Sequence, residues 1–196
     1  MARWHCALNV NYLPVQCYTR QIIGADILQT KDPYKTFALL KEHVDFIRMH
    51  NPEHTASQVC IIVERNLGFE AEHLYRECQN TIENSCYMYE PGAERIGVLT
   101  THARKIAYVS VMNNMLRDNR IYAASTTTWV EHEKNNSRSQ LLDQLRFFGF
   151  SFSHTENAFQ KEKMAISGKS SGGKDDLCMA LLIGLFFVHE NRYLTR

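Results

Sequence analysis

No C-x-x-C pair, no H-E-x-x-H and no Cys/His cluster at zinc spacing occurs in this sequence, although it holds six cysteines and nine histidines. Those absences exclude a zinc site assembled from local motifs. They leave Cys6, Cys17, Cys60, Cys78, Cys86 and Cys178, several of them inside apolar runs, to be read as buried free thiols in a reducing compartment rather than a disulfide framework. No apolar run approaches the ~20 residues that cross a bilayer. The longest, "CMALLIGLFFV" at 178–188, follows two aspartates and reads as a buried helix, so no membrane partner is expected. The opening "MARWHCALNVNYL" has no continuous apolar segment of the kind an export signal carries, so the expected location is intracellular. Neither a repeat at solenoid period nor a low-complexity segment is present. A large charge of one sign is missing too, the net being +1. Locally, though, Lys161, Lys163, Lys169 and Lys174 face only Glu162, which suits either a polyanion or a solvated loop.

What is present fits one soluble globular domain spanning residues 1–196, with 44% hydrophobic and 22% charged residues. A chain of this length buries about 70% of its unfolded surface. The first 28 residues, alternating and interrupted by Pro14, predict a pair of strands. "DPYKTFALLKEHVDFIRMHNP" places Phe37, Leu40, Val44 and Ile47 at helical spacing between proline signals. "SQVCIIVE" predicts a buried central strand ending at Glu64, "FEAEHLYREC" a helix and "SCYMY" a strand. Residues 104–118 predict a helix with Ile106, Val109, Met112 and Leu116 on its buried face. "RIYAAS" predicts a short strand, and "SRSQLLDQLRFFGF" a helix carrying Leu141, Leu145 and Phe148. "AASTTTWVEHEKNN" reads as a loop, "KEKMAISGK" as a last strand, and Leu177, Leu181, Gly184 and Val188 mark a final helix. Strands and helices in this order predict a mixed sheet with helices packed on it.

"SGKSSGGKDDL" at 167–177 carries the chemistry. Gly168 to Lys174 fits the phosphate-loop pattern G-x-x-x-x-G-K, yet Asp175 stands where that loop offers a hydroxyl to Mg²⁺. A carboxylate there repels the nucleotide's phosphates, and too few residues follow Lys174 for the further strands such a sheet requires. Asp175 and Asp176 at a helix start are either N-caps, favoured by orphan amides and the helix dipole, or metal ligands. Ligation needs a partner acid from another element, and Glu64 at the end of an apolar strand supplies one. Asn66 can orient that carboxylate, and Gly68 permits a tight turn after it.

A strand-end acid in E-x-N-x-G (Glu64-Arg65-Asn66-Leu67-Gly68) and an Asp-Asp-Leu opening an apolar terminal helix (Asp175-Asp176-Leu177) resemble the nuclease domain of large terminase subunits, the DNA-packaging motors of tailed phages and herpesviruses. "GGKDDLCMALLIGLFF" and "GVLTTHARKIAYVSVMN" are similar to the herpesvirus-type branch in particular. The resemblance implies an α/β, RNase H-like mixed sheet flanked by helices. It implies an endonuclease in which Glu64, Asp175 and Asp176 hold two Mg²⁺ or Mn²⁺ ions that cut concatemeric double-stranded DNA, with Lys169 and Lys174 on backbone phosphates. Other terminase subunits and a portal are the implied partners, and a host nucleus the implied location.

The family's first acid stands on its first strand, whereas no acidic residue precedes Asp26 here. The expectation is a chain lacking that first strand, a part of a longer protein without the ATPase half, and inactive or weakly active alone. Asp26 falls at the end of the family's third strand. The alternative is a catalytically incomplete RNase H-like module that binds DNA or assembles, and a third reading is a transposase- or resolvase-type enzyme sharing the same acids.

Overall fold

The computed structural model describes residues 3–11, 19–28, 32–50, 59–64, 81–87, 97–126, 129, 136–153, 163–167 and 175–190. Two compact units form: Met1–Arg3, Asp26–Thr101 and Val130–Lys134 in the first, Trp4–Ala25, His102–Trp129 and Asn135–Arg196 in the second. The predicted helix at "FEAEHLYREC" lies outside the described residues, as does most of the predicted loop after Thr126.

In the first unit, helix α1 (Pro33–His50) begins where Asp32 meets proline. The Asp32 carboxylate accepts the Tyr34 amide at 2.9 Å, satisfying a donor the helix cannot, while Pro33 has no N–H to satisfy. The predicted face is borne out in part: Val44 is buried against Ile61 and Ile82, with Phe37, Leu40, Val59 and Val63 partly buried around it, but Leu39 and His43, off the predicted face, are buried too. Arg48 donates to the Glu83 carbonyl at 2.6 Å, tying the helix end to the turn that leads into the next strand. The exposed Lys41–Asp45 pair one turn apart adds little, since water screens it.

Strands β3 (Val59–Ile61) and β4 (Ser85–Tyr87) pair in parallel, Cys60 opposite Cys86. The expectation of a continuous, wholly buried central strand at "SQVCIIVE" is corrected here. Strand β3 is three residues long, and Cys60 is exposed while Ile61 is buried, because one face of the pair is covered and the other is not.

The second unit holds most of a three-stranded sheet in the order β1-β2-β5, from β1 (Arg3–Asn11), β2 (Thr19–Leu28) and β5 (Ile121–Ala123). The two strands predicted around Pro14 are present, and β2 continues into the first unit at Asp26. Ile22 registers with Ala123 in the parallel β2–β5 pair. Helix α2 (His102–Arg117) stops sharply before β5. Asn119 adopts φ 53°, and the Asn119 and Arg120 amides reach back to the Leu116 and Met115 carbonyls at 3.1 and 2.8 Å. This double closure with a left-handed residue satisfies carbonyls that the helix leaves open.

The buried face of α2 is Tyr108, Val109, Met112 and Met115, rotated from the predicted one, and Ile106 and Leu116 are exposed. Aromatic packing sets the rotation: the Tyr108 ring lies 4.8 Å from Phe186 and 6.5 Å from Phe187 on helix α4 (Asp176–Glu190). Helix α3 (Ser137–Phe147) is pinned at its start, where the buried Ser137 hydroxyl accepts the Trp129 indole N–H at 3.0 Å. It ends one residue short of Phe148, which is extended. The residues that follow correct a second expectation, for Gly149–Ser153 form strand β6, antiparallel to β7 (Lys163–Ser167), instead of prolonging the helix. Helix α4 is apolar nearly all round, with Leu177, Leu181, Leu182 and Leu185 fully buried, as a helix inside a core must be. No helix among the described residues is long and apolar enough to cross a membrane.

Candidate nuclease site

Glu64 lies past the end of β3, where the chain remains extended. Its backbone forms a parallel bridge with Val98, whose amide donates to the Val63 carbonyl at 2.8 Å. Val98 is fully buried, so this bridge is anchored in the first unit, and Glu64 itself is half-buried. Beside Val98, Gly97 takes φ 91°, a conformation that costs most other residues a clash at Cβ. The hydrophobic run "VCIIV" thus delivers a carboxylate to a strand end on a fixed backbone.

Asp175 and Asp176 lie in the second unit, at the start of α4. Asp175 occupies the cap position: its carbonyl accepts the Met179 amide at 2.9 Å, and it is 4% exposed. Asp176 opens the first turn and is half-buried. A third side chain completes this helix end, one that sequence reasoning missed. Gln144 of α3 accepts the Cys178 amide at 3.0 Å through its Oε1, taking one of the donors that a capping aspartate ordinarily takes. Gln144→Ala is expected to lower stability by about 1 kcal/mol, the net worth of such a bond. That corresponds to about 2–4 °C in Tm for a chain of this size. An unchanged melting curve would show that water replaces the amide.

Lys169, Lys174, Asn66 and Gly68 lie outside the described residues, and Asp26 is placed in β2. The structure therefore brings Asp175 and Asp176 together and sets Glu64 at a strand end in the other unit. The donor chemistry suits a hard divalent cation, which takes carboxylate oxygens. Among the described residues, no three His, Cys, Asp or Glu side chains gather closely enough to hold a metal.

Three solved structures of the human cytomegalovirus terminase nuclease domain share this architecture. A Mn-soaked structure matches with a TM-score of 0.61 at 12% identity, over 95% of this chain and 81% of that one. A Mn-soaked, inhibitor-bound structure matches at 0.57 and 13%, over 98% and 86%. Another structure of the domain matches at 0.56 and 13%, over 99% and 85%. The chain has the terminase nuclease fold. This is an RNase H-like α/β fold, as the strand-end acid and the Asp-Asp-Leu helix led us to expect. No protein-family model matches the sequence, and no curated protein does either.

Proposed function

We propose that this chain is the nuclease domain of a herpesvirus-type DNA-packaging terminase, hydrolysing phosphodiester bonds of double-stranded DNA with Mg²⁺ or Mn²⁺. The observation that carries the proposal is a fold likeness to terminase nuclease domains over 98% of the chain, joined to carboxylates at a strand end and at the start of the last helix. Glu64, Asp176 and Asp175 are the candidate ligands, with Asn66 orienting Glu64 and Gly68 turning the chain away from it. Two bound divalent ions would activate a water and stabilise the leaving oxygen. The residues' own task is to present oxygen donors on backbones fixed by the Val98 bridge and by the buried α4 helix. Cutting of concatemers, two metals rather than one, and assembly with other terminase subunits and a portal belong to the same proposal.

Supercoiled plasmid incubated with the protein and Mn²⁺ tests it, alongside calorimetric titration of Mn²⁺ without DNA. Expected are saturable Mn²⁺ binding and EDTA-sensitive nicking that is weak, since no acidic residue precedes Asp26. A protein that neither binds Mn²⁺ nor nicks would overturn the reading. It would favour instead an RNase H-like module that binds DNA without cutting it, a reading motivated by the lack of an acidic residue before Asp26. That module would bind DNA equally well in EDTA.

Lys169 and Lys174 are proposed to meet backbone phosphates, which carry no sequence information. Lys169→Ala and Lys174→Ala should each weaken binding alike on unrelated duplexes and lower the salt slope by about one. Fluorescence anisotropy across a KCl series reads both effects. A loss confined to one DNA sequence would contradict the assignment.

A further inference from the structure

Cys60 and Cys86 stand opposite each other at one register position of the parallel β3–β4 pair. Adjacent strands run ~4.8 Å apart, which lies inside the ~4.4–6.8 Å Cα spacing that a disulfide spans. The thiols themselves meet. Desolvation, then the neighbouring charge on Cys86, then a hydrogen bond with Cys86 push the Cys60 pKa up to about 12. Cys60 is nevertheless exposed as a residue, and Cys86 is half-buried, so a small reagent can reach the pair. This departs from the expectation that all six cysteines are buried, which holds for the fully buried Cys178 in the other unit.

We propose that Cys60 and Cys86 form a surface dithiol that a small disulfide oxidant closes to a disulfide, clamping β3 to β4 ahead of Glu64. With glutathione disulfide the exchange balances: one protein thiolate displaces a glutathione thiolate, the second protein thiolate displaces the other, and the two protein thiol protons end on two glutathione thiols. The elevated Cys60 pKa keeps Cys60 a thiol at neutral pH, so attack through its sulfur is slow there and quickens as pH rises. Such a bond in a reducing compartment would be transient, formed under oxidising conditions and reopened by thiols. Only its bearing on Glu64 rests on the nuclease reading. The cross-link is read by mass and stands or falls independently of nicking.

The test is to incubate the folded protein with oxidised glutathione at mildly alkaline pH, alkylate the remaining thiols, digest without reductant and analyse the peptides by mass spectrometry. Expected is a Cys60–Cys86 linked peptide, two hydrogens lighter than its parts, as the main oxidised species, reversed by dithiothreitol. In Cys60→Ser, Cys86 should accumulate as the mixed disulfide with glutathione, because its resolving partner is gone. Full alkylation of both cysteines, stable mixed disulfides in the unsubstituted protein, or linkage chiefly to Cys6, Cys17 or Cys78 would each overturn the proposal.

Discussion

Glu64→Gln is expected to cut Mn²⁺-dependent nicking by more than about 100-fold. Losing an outer partner of a metal ligand already costs about 10–100-fold, and losing the ligand itself costs more. Stability should barely change, because Glu64 is half-buried and bridges Val98 through backbone atoms that glutamine leaves in place. A shift in Tm within about 2 °C is the expectation for such a site. The aspartates need more care. Asp175 stands at the cap position of α4 and is 4% exposed, so alanine there would empty a buried site and confound folding with chemistry. Asparagine caps about as well as aspartate, so Asp175→Asn keeps the helix and removes only the charge. Comparing Asp175→Asn with Asp176→Asn, by Mn²⁺ titration and nicking together, therefore separates ligand from cap. At least one should lose Mn²⁺ affinity and activity while melting normally. Activity unchanged in both, or retained in Glu64→Gln, would sink the proposed ligand set.

The elements readable from sequence are those whose signals are local. Asp32 followed by Pro33 announces α1, and the spacing through Val44 announces part of its buried face, because the helix packs on the residues that follow it closely. The buried face of α2 departs from its periodicity for the opposite reason. Periodicity favours Ile106 and Leu116 over Tyr108, but partners nearly eighty residues away, Phe186 and Phe187, draw the tyrosine ring inward. The segment "RFFGF" shows the limit of apolar runs: short ones do not distinguish helix from strand, and only pairing with β7 makes Gly149–Ser153 a strand.

The candidate site divides along the same line. The positions of its candidate acids are legible because each sits at a boundary that the chain marks locally, a strand-end bridge for Glu64 and a helix start for Asp175 and Asp176. Gln144 was not, since nothing near it in sequence reveals that it will accept the Cys178 amide. Nor does any spacing rule pair Cys60 with Cys86. That meeting depends on strand register, which the hydrophobic pattern of two three-residue strands specifies weakly.

Tyr108→Ala should produce the largest loss of stability among single changes in the second unit, about 3–5 kcal/mol, the range for truncating a large buried aromatic side chain. Tyr108 is fully buried, its ring packs against Phe186 and Phe187, and those two rings meet nearly edge to face at 5.3 Å. Deleting it opens a cavity against both rings, and two packed helices can collapse only partly into such a space. The expected fall in Tm is on the order of 10 °C. Tyr108→Phe, which keeps the ring, should retain most of that stability. If both substitutions cost the same, the hydroxyl rather than the ring would be the stabilising group, and the account of the α2 rotation would fail. The consequence extends to the acids, since α4 starts at Asp175 and Asp176 and packs against α2. Tyr108→Ala should therefore weaken Mn²⁺ binding only as far as it unfolds the protein, with affinity recovering on cooling below the transition. The ligand substitutions should show no such recovery.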